Sequence, residues 1–269
     1  MNLEFLENGN LPEPVHTLIV SDVHLGSRVS RASECLELLE SYRTDKRRWK
    51  FKQLVLLGDI FDDLNFNRLN KHAWKLVSLI REITDEESSA KVVWILGNHD
   101  ELLVPLMAHL VGITVHEEYE WGIGNKRFFA MHGQQFDKWI MKYPNISKIP
   151  SWMYDVIQQL DGPKQRLSRF VKEKSKTWLR INAEVARGIV NYASRKGYKI
   201  DAAFCGHTHI AETIEFAEQG ISYYNTGCWT GKHAPTFVTI SNAGEVQLHE
   251  YQFEAEARSP HGQLIGAVA

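Results

Sequence analysis

The chain has 269 residues, 43% of them hydrophobic, and a formal net charge of −2. A chain of this length and composition can bury a substantial core in one domain. It contains no apolar run of about 18 residues, which excludes a membrane-spanning helix. We expect a single domain over residues 1–269, with a frayed tail at about 259–269.

The cysteines and the amino-terminal residues predict a cytoplasmic protein. Cys35, Cys205 and Cys228 cannot all pair within one chain, which is typical of a reducing compartment. The first residues carry Glu4 and Glu7 and have no basic run before an apolar stretch, unlike a secretory signal peptide.

The predicted elements alternate between strand and helix in the first half of the chain. Helical periodicity predicts helices over about 30–45, 67–84 and 101–110, with a kink or early break at Pro105 in the last. Residues rich in β-formers predict five strands: Thr17–Val20, Gln53–Leu57, Val92–Leu96, Phe128–Met131 and Ala202–Cys205. After His209, short strands are predicted at 212–216, 221–225, 236–240 and 245–252. Parallel βαβ units followed by antiparallel strands predict an α/β fold with two stacked sheets and helices outside.

A short polar block follows each of the five predicted strands. The blocks are Asp22-Val23-His24, Gly58-Asp59, Gly97-Asn98-His99-Asp100, His132-Gly133 and Gly206-His207-Thr208-His209. Because open α/β sheets place their sites at the carboxyl ends of the strands, we expect these side chains to converge. Asp22 and His24, two apart on an extended segment, would point to the same side and chelate one ion, and His207 and His209 would repeat that geometry.

The residue types in these blocks are typical of a site for two metal ions. Carboxylate, carboxamide and imidazole suit Mn, Fe or Zn, and thiolate ligands are absent from the blocks. Asp59 has two oxygens with which to bridge the ions. Two ions roughly 3.5–4 Å apart activate a water and neutralise charge on a phosphoryl group.

The ordered motifs D-x-H, G-D, G-N-H-D, H-G and G-H-x-H resemble those of the calcineurin-like metallophosphoesterases, over about Thr17 to Thr230. The resemblance implies a four-layer αββα sandwich and two divalent ions, with Mn the first choice and Fe or Zn as alternatives. It implies a first metal site of Asp22, His24, Asp59 and His209, and a second of Asp59, Asn98, His132 and His207. It also implies that His99 is the general acid and that Asp100 orients its imidazole. An alternative role for Asp100 is to cap a helix that begins near Glu101.

Residues 138–199 differ in charge from the rest of the chain. They carry fourteen Lys and Arg against four acidic residues, a net charge of +10 in a chain of −2. We expect helices at about 151–160 and 164–196, which would form a helical cap insertion beside the metals. The alternative is ordinary amphipathic packing onto a sheet, with the basic side chains solvated. Taken as a block, this basic and aromatic-rich segment predicts contact with an anionic, partly apolar substrate or with an anionic membrane surface.

An insertion at this place in the chain is similar to the cap of the UDP-2,3-diacylglucosamine pyrophosphatases of lipid A synthesis. The Tyr224–Trp229 run also resembles that branch. The resemblance implies cleavage of a pyrophosphate to release UMP and a phosphorylated diacylglucosamine. Two departures from the branch are His99, where well-known members have Arg, and Ile60–Asn65, which lacks a Trp-Gly-Asp-Asp tail.

Three functions remain open from the sequence. The favoured one is a bimetallic hydrolase acting on a nucleotide-sugar lipid or a related pyrophosphate. The second is a phosphomonoesterase or phosphodiesterase acting on nucleotides, phosphoprotein or DNA ends, although the concentration of basic charge in one segment disfavours nucleic acid. The third is a metal-free scaffold. Four further residues are candidate substrate contacts: Arg28, Trp139, Asn225 and His233. A cytoplasmic enzyme with a basic cap would also lie peripherally on the inner face of the membrane.

Overall fold

The computed structural model describes residues 4–5, 13–85, 87–105, 112–137, 181–231 and 234–252. Most of the predicted cap, residues 138–180, lies outside these ranges, as do Trp139, His233 and the tail at about 259–269. Within the described residues no helix combines the length and the apolar character needed to cross a membrane.

The described residues form three helices and three sheets. The strands are β1 (Glu4–Phe5), β2 (Val15–Val20), β3 (Arg43–Asp45), β4 (Arg48–Trp49), β5 (Phe51–Leu57), β6 (Lys91–Ile95), β7 (Val115–His116), β8 (Glu118–Ile123), β9 (Lys126–Met131), β10 (Ala202–Cys205), β11 (Glu212–Phe216), β12 (Ile221–Asn225), β13 (Thr236–Ile240) and β14 (Val246–Glu250). The helices are α1 (Ala32–Ser41), α2 (Lys71–Ile83) and α3 (181–193).

Two large sheets carry the fold. The seven-stranded sheet has the order β1-β14-β13-β2-β5-β6-β7, and β2, β5, β6 and β7 run parallel within it. The five-stranded sheet has the order β11-β12-β10-β9-β8, with β9, β10 and β12 parallel. The parallel strands β2, β5, β6 and β7 have the antiparallel neighbour β13 on one side, and the parallel strands of the five-stranded sheet lie between the antiparallel strands β8 and β11.

The alternation of side chains along β5 shows how the layers stack. Leu54 and Leu56 pack with the helices α1 and α2, whereas Val55 and Leu57 pack between the two sheets. On the outer face of the five-stranded sheet, Phe129 packs with α3. Because successive residues of a strand point to opposite faces, both faces of each sheet are covered. The layers are therefore helix, sheet, sheet and helix, which confirms the predicted sandwich.

The helix α2 shows how local sequence sets an element. The side chain of Asn70 accepts hydrogen bonds from the backbone N–H groups of His72 and Ala73, which caps the first turn. Buried residues then recur at helical spacing, including Leu76 and Ile80.

Two of the predicted helices differ in the structure. The helix predicted over 30–45 ends at Ser41, because β3 and β4 form a hairpin in which Arg47 has a positive φ of 66°. The helix predicted over 101–110 begins with a 3₁₀ turn, Glu101–Leu103, and residues 106–111 lie outside the described ranges.

The carboxyl-terminal part of the predicted insertion belongs to the sandwich. In α3, Val185 and Ile189 are fully buried against the five-stranded sheet, whereas Arg187 is exposed. The helix α3 therefore packs amphipathically onto a sheet, which is the alternative to a cap that the sequence left open. A cap remains a prediction for residues 138–180.

We predict that Ile189→Ala lowers the free energy of unfolding by about 2–5 kcal/mol, because it leaves a cavity between α3 and the sheet. Urea denaturation would measure this loss. The control Arg187→Ala, on the exposed face of the same helix, should change the value by less than about 0.5 kcal/mol. Equal effects of the two substitutions would contradict the packing of α3 as the fourth layer.

Candidate metal centre

The five polar blocks lie at the carboxyl ends of β2, β5, β6, β9 and β10. Backbone hydrogen bonds tie neighbouring loops together. Asp22 N donates to the carbonyl of Gly58 at 3.0 Å, and His24 N donates to the carbonyl of Asp59 at 3.0 Å. Across the two sheets, the backbone N–H of His207 donates to the Asp22 carboxylate at 3.1–3.2 Å. The loops therefore form one connected frame.

The backbone of the site is strained. Six non-glycine residues in the described ranges have positive φ, and five of them belong to the blocks: Asp22 (51°), His24 (47°), Asp59 (51°), His207 (67°) and His209 (57°). The segments Asp22–His24 and His207–His209 are therefore not extended, which corrects the extended geometry predicted for both pairs. Residues in this sparsely populated region cost free energy and cluster at functional sites.

Asp22, His24 and His209 form the first cluster of candidate ligands. The Nε2 of His209 lies 3.1 Å from Asp22 Oδ1 and 3.3 Å from the Nε2 of His24. The Nε2 of His24 lies 4.0 Å from Asp22 Oδ1. A tetrahedral ion with bonds of about 2.0–2.1 Å holds its ligand atoms about 3.3 Å apart. These separations therefore fit a single cation.

Asp59 lies between the first cluster and a second one. Its Oδ2 is 3.9 Å from the Nε2 of His24 and 3.2 Å from the Nε2 of His132. Asp59, His132 and His207 form the second cluster, in which the ligand atoms lie within 4.8 Å of one another. One buried carboxylate thus faces imidazole nitrogens from both groups.

A hydrogen bond behind His132 and a polar contact behind His24 orient the two imidazoles. The Nδ1 of His132 lies 2.9 Å from the carbonyl oxygen of Leu57, and the Nδ1 of His24 lies 3.5 Å from Asp62 Oδ1. Both rings therefore direct Nε2 towards Asp59. Partners of this kind fix the tautomer and orientation of metal-binding histidines.

Five buried polar atoms in and around the site lack hydrogen-bond partners among the described residues: Asn98 Oδ1, His132 Nε2, His24 Nδ1, Asp62 Oδ1 and Gln134 Oε1. Buried polar atoms are almost always satisfied. Asn98 Oδ1, and His132 Nε2 in the neutral ring, have a lone pair suited to a cation. The residues present therefore fit a bound divalent metal.

Charge in the cluster is balanced between carboxylates and imidazoles. Burial alone would raise the pKa of Asp59, but His132, His99 and His24 hold it well below its ordinary value. Burial would lower the pKa of His132, but Asp59 and Asp22 outweigh it and raise that pKa to about 10. Metal binding requires a neutral imidazole, so a cation would replace the proton that His132 otherwise carries.

The sequence profile of the calcineurin-like phosphoesterase family matches residues 15–211. The chain belongs to this family. The family implies a metal-dependent phosphoester hydrolase, which agrees with the candidate ligand groups of the described residues. Besides the first and second clusters, these include a third group of His24, Asp59 and His99.

Solved structures of similar fold have low sequence identity to this calcineurin-like phosphoesterase. An archaeal phosphodiesterase is 15% identical, with a TM-score of 0.46 over 87% of this chain and 99% of its own. The phosphoesterase YfcE from E. coli is 17% identical, with a TM-score of 0.46 over 86% of this chain and 95% of its own. Vps29 from Entamoeba histolytica in complex with Zn²⁺ is 14% identical, with a TM-score of 0.38 over 87% and 97%. No curated protein sequence matches the chain.

His99 lies beside the first cluster. Its ring centroid is 4.8 Å from that of His24, and its Nδ1 is 2.8 Å from the carbonyl oxygen of Asp62. Burial would lower the pKa of His99, but Asp59 and the Asp62 carbonyl outweigh it and raise the pKa. The ring is thus held in place and favoured in its protonated form.

Asp100 has neither of the roles expected from the sequence. Its side chain makes no capping hydrogen bond, and the Nδ1 of His99 contacts Asp62 instead. The Asp100 carboxylate accepts hydrogen bonds from the backbone N–H groups of Ile60 at 3.3 Å and Phe61 at 3.1 Å. Because it is buried and lies near Asp59, its pKa rises to about 6. Asp100 therefore holds the loop that follows Asp59.

The predicted substrate contacts have separate outcomes. Asn225 is fully buried, and its Nδ2 donates at 2.9 Å both to the Gly206 carbonyl and to Thr208 Oγ1. Asn225 therefore supports the Gly206–His209 loop and does not contact substrate, which corrects the prediction. Arg28 is exposed in the loop after the first block, where its role stays a prediction.

Asp137 is a member of the site that was not predicted from the sequence. Asp137 follows a 3₁₀ turn, Gln134–Phe136, and its Oδ2 lies 3.0 Å from the Nε2 of His207. The available signal was an acidic residue shortly after the His132-Gly133 block. Such an acid is too common after a turn to be recognised by spacing alone.

We predict that Gly97→Ala weakens metal binding at least tenfold. A Cβ at this position would lie 2.2 Å from Asp59 Oδ1 and 2.3 Å from Asp59 N, so the shared carboxylate must move. Calorimetric titration of the metal-free protein with Mn²⁺ would measure the affinities. The control Gly122→Ala, whose Cβ would make an ordinary contact at 3.6 Å, should bind Mn²⁺ as the unsubstituted protein does. Unchanged affinity in Gly97→Ala would contradict the central position of Asp59.

Proposed function

We propose that the protein is a dinuclear-metal phosphohydrolase that cleaves the pyrophosphate of a nucleotide-sugar lipid similar to UDP-2,3-diacylglucosamine, or a related anionic amphipathic phosphoester. The observation that carries the hydrolase is the buried Asp59 carboxylate, whose Oδ2 lies 3.9 Å from the Nε2 of His24 in the first cluster and 3.2 Å from the Nε2 of His132 in the second. The class of substrate is supported by the insertion and by the resemblance stated above.

The proposed ligands divide into two sites. Asp22, His24 and His209 would hold the first ion, Asn98, His132 and His207 would hold the second, and Asp59 would serve both. Two divalent ions in these sites would supply the polarisation of a water and the neutralisation of charge on the phosphoryl group. Mn is the proposed metal, with Fe and Zn as alternatives, because the donor set is oxygen and imidazole without thiolate.

His99 is the proposed general acid. Its Nδ1 is engaged by the Asp62 carbonyl, so Nε2 is the atom that can give a proton to the leaving oxygen. Against the effect of burial, Asp59 and the Asp62 carbonyl raise the pKa of His99, which favours the form that can donate this proton. The Asn98 amide is proposed to bind a non-bridging oxygen of the phosphoryl group through its N–H donors, and its unpartnered Oδ1 would be available to the second ion.

The place of the insertion supports a substrate-binding role for it. Residues 138–180 lie between Asp137 and Asn182 in the chain. Asp137 contacts His207, and Asn182 contacts Thr208. Both ends of the insertion therefore lie beside the loop Gly206–His209, here called the metal loop. We propose a single domain with a cap at this place, in which Trp139 contacts the apolar part of the substrate.

The remaining proposals concern the surroundings of the site. Arg28 and His233 are proposed to contact the phosphates, since a guanidinium or imidazole pairs with a phosphate oxygen. The basic cap is proposed to touch the anionic surface of the membrane from the cytoplasmic side. Nucleic acid is not proposed as a partner.

A broader phosphomonoesterase or phosphodiesterase is the second candidate function. It is favoured by His99, because a proton donor matters more for an alkoxide leaving group than for UMP. A non-catalytic scaffold is disfavoured, since every residue expected to bind metal is present in the sequence.

Hydrolysis of three substrates would test the proposed function. The protein is loaded with Mn²⁺ and supplied with UDP-2,3-diacylglucosamine, bis-(p-nitrophenyl) phosphate or p-nitrophenyl phosphate. We expect release of UMP from the glycolipid with a kcat/KM about 100-fold above the aryl esters, since remote contacts contribute to transition-state binding. Comparable values would support the second function, and no Mn²⁺-stimulated hydrolysis of any of the three would end the enzyme proposal.

We predict that substitutions at Asp59 and His99 differ in their effect on metal content. Asp59→Ala should lose both metal ions, because one carboxylate serves both clusters. His99→Ala should keep two Mn²⁺ per chain while kcat falls by about 10²–10⁴-fold, the usual contribution of a general acid. Metal analysis and steady-state kinetics measure the two effects, with His72→Ala on the exposed side of α2 as the control. Loss of metal in His99→Ala would show that its assigned role is wrong.

A further inference from the structure

Asp137 and Asn182 hold the metal loop Gly206–His209 from two directions. Asp137 is 6% exposed, and its Oδ2 lies 3.0 Å from the Nε2 of His207. Asn182 is 1% exposed, and its Oδ1 accepts a hydrogen bond from Thr208 Oγ1 at 2.8 Å. The first contact reaches a candidate ligand ring, whereas the second reaches only the residue between two candidate ligands.

The position of Asp137 is set by a tight turn. Gly133 has a φ of 113°, and the backbone N–H of Phe136 donates to the carbonyl of Gly133 at 3.0 Å. The backbone N–H of Asp137 then donates to the carbonyl of Gln134 at 3.2 Å. This turn directly follows His132. The end of β9 therefore supplies both the His132 ring of the second cluster and the Asp137 carboxylate, which contacts the His207 ring.

The contact with Asp137 has a chemical consequence for His207. An ionised carboxylate only accepts hydrogen bonds, so the Nε2 of His207 must carry the hydrogen. The other nitrogen, Nδ1, then keeps its lone pair. His207 is one of the three residues of the cluster with Asp59 and His132. In His132 the Leu57 carbonyl fixes the opposite tautomer, in which Nδ1 carries the hydrogen.

We infer that Asp137 is a positioning residue for the second metal site, which holds the His207 imidazole in the tautomer that presents Nδ1 to the ion. This inference rests on the proposed ligand role of His207. Carboxylates behind metal-binding histidines fix the orientation of the ring in this way. Asn182 supports the same loop without acting on the ring.

Calorimetric titration of the metal-free protein with Mn²⁺ tests the inference. In Asp137→Ala we expect the affinity of the second ion to fall by about 10–100-fold while that of the first changes little. Asp137→Asn should restore most of the affinity, because its amide oxygen can still accept from Nε2. Asn182→Ala removes one hydrogen bond to the same loop and should leave both affinities within about threefold, since it does not touch the ring. With the loaded enzyme, Asp137→Ala should lower kcat more than it changes KM.

The outcomes separate this inference from the proposed function. Equal weakening in Asp137→Ala and Asn182→Ala, or no rescue by Asp137→Asn, would overturn the positioning role in favour of general support for the loop. An unchanged second affinity in Asp137→Ala would also overturn it. His207→Ala provides the reference: if this variant still binds two ions with ordinary affinity, the proposed ligand set itself is wrong.

Discussion

The structure depends on the buried carboxylate of Asp59. Its Oδ2 lies within 4 Å of imidazole nitrogens from two other loops, and its Oδ1 accepts from the backbone N–H of His99 at 2.9 Å. An isolated charge at this depth would cost many kcal/mol, so it is stable only where partners compensate it. Loops from both sheets must therefore meet around one residue.

The fold meets this requirement through its layers. Parallel strands deliver their carboxyl ends to one edge of each sheet, and the two sheets pack face to face through residues such as Val55 and Phe204. The loops at that edge adopt left-handed backbone at five candidate ligands, which costs stability locally. Outer contacts, including those of α1, α2 and α3, supply the burial that offsets this cost.

Much of the fold could be predicted from the sequence because its signals are local. The β5 segment is a continuous apolar run and ends at Gly58-Asp59, so both the strand and the site residue were predictable. The β8 strand, Glu118–Ile123, was not predicted, although its alternation of charged and aromatic residues is typical of a half-buried strand. The short β3–β4 hairpin was not predicted, because no strong helix-ending residue precedes Arg43 to mark the end of α1.

The site was predictable in its ligands and less so in their supports. Candidate ligands such as Asp22 and His209 belong to short motifs that directly follow strands, so they can be identified from the sequence. The residues that hold these ligands in place act through tertiary contacts, which the sequence does not show. Asp100 is adjacent to His99 in sequence, yet its carboxylate turns to the backbone of Ile60 and Phe61. Asp137 and Asn225 act through residues distant in the chain, which no spacing rule for a single sequence captures.

Anomalous diffraction from a crystal of the Mn²⁺-loaded protein tests the central claim most directly. The account predicts two peaks about 3.5–4 Å apart, both adjacent to Asp59. One should lie beside Asp22 and His209, and the other beside His132 and His207. A single peak, or peaks that do not border Asp59, would contradict the account.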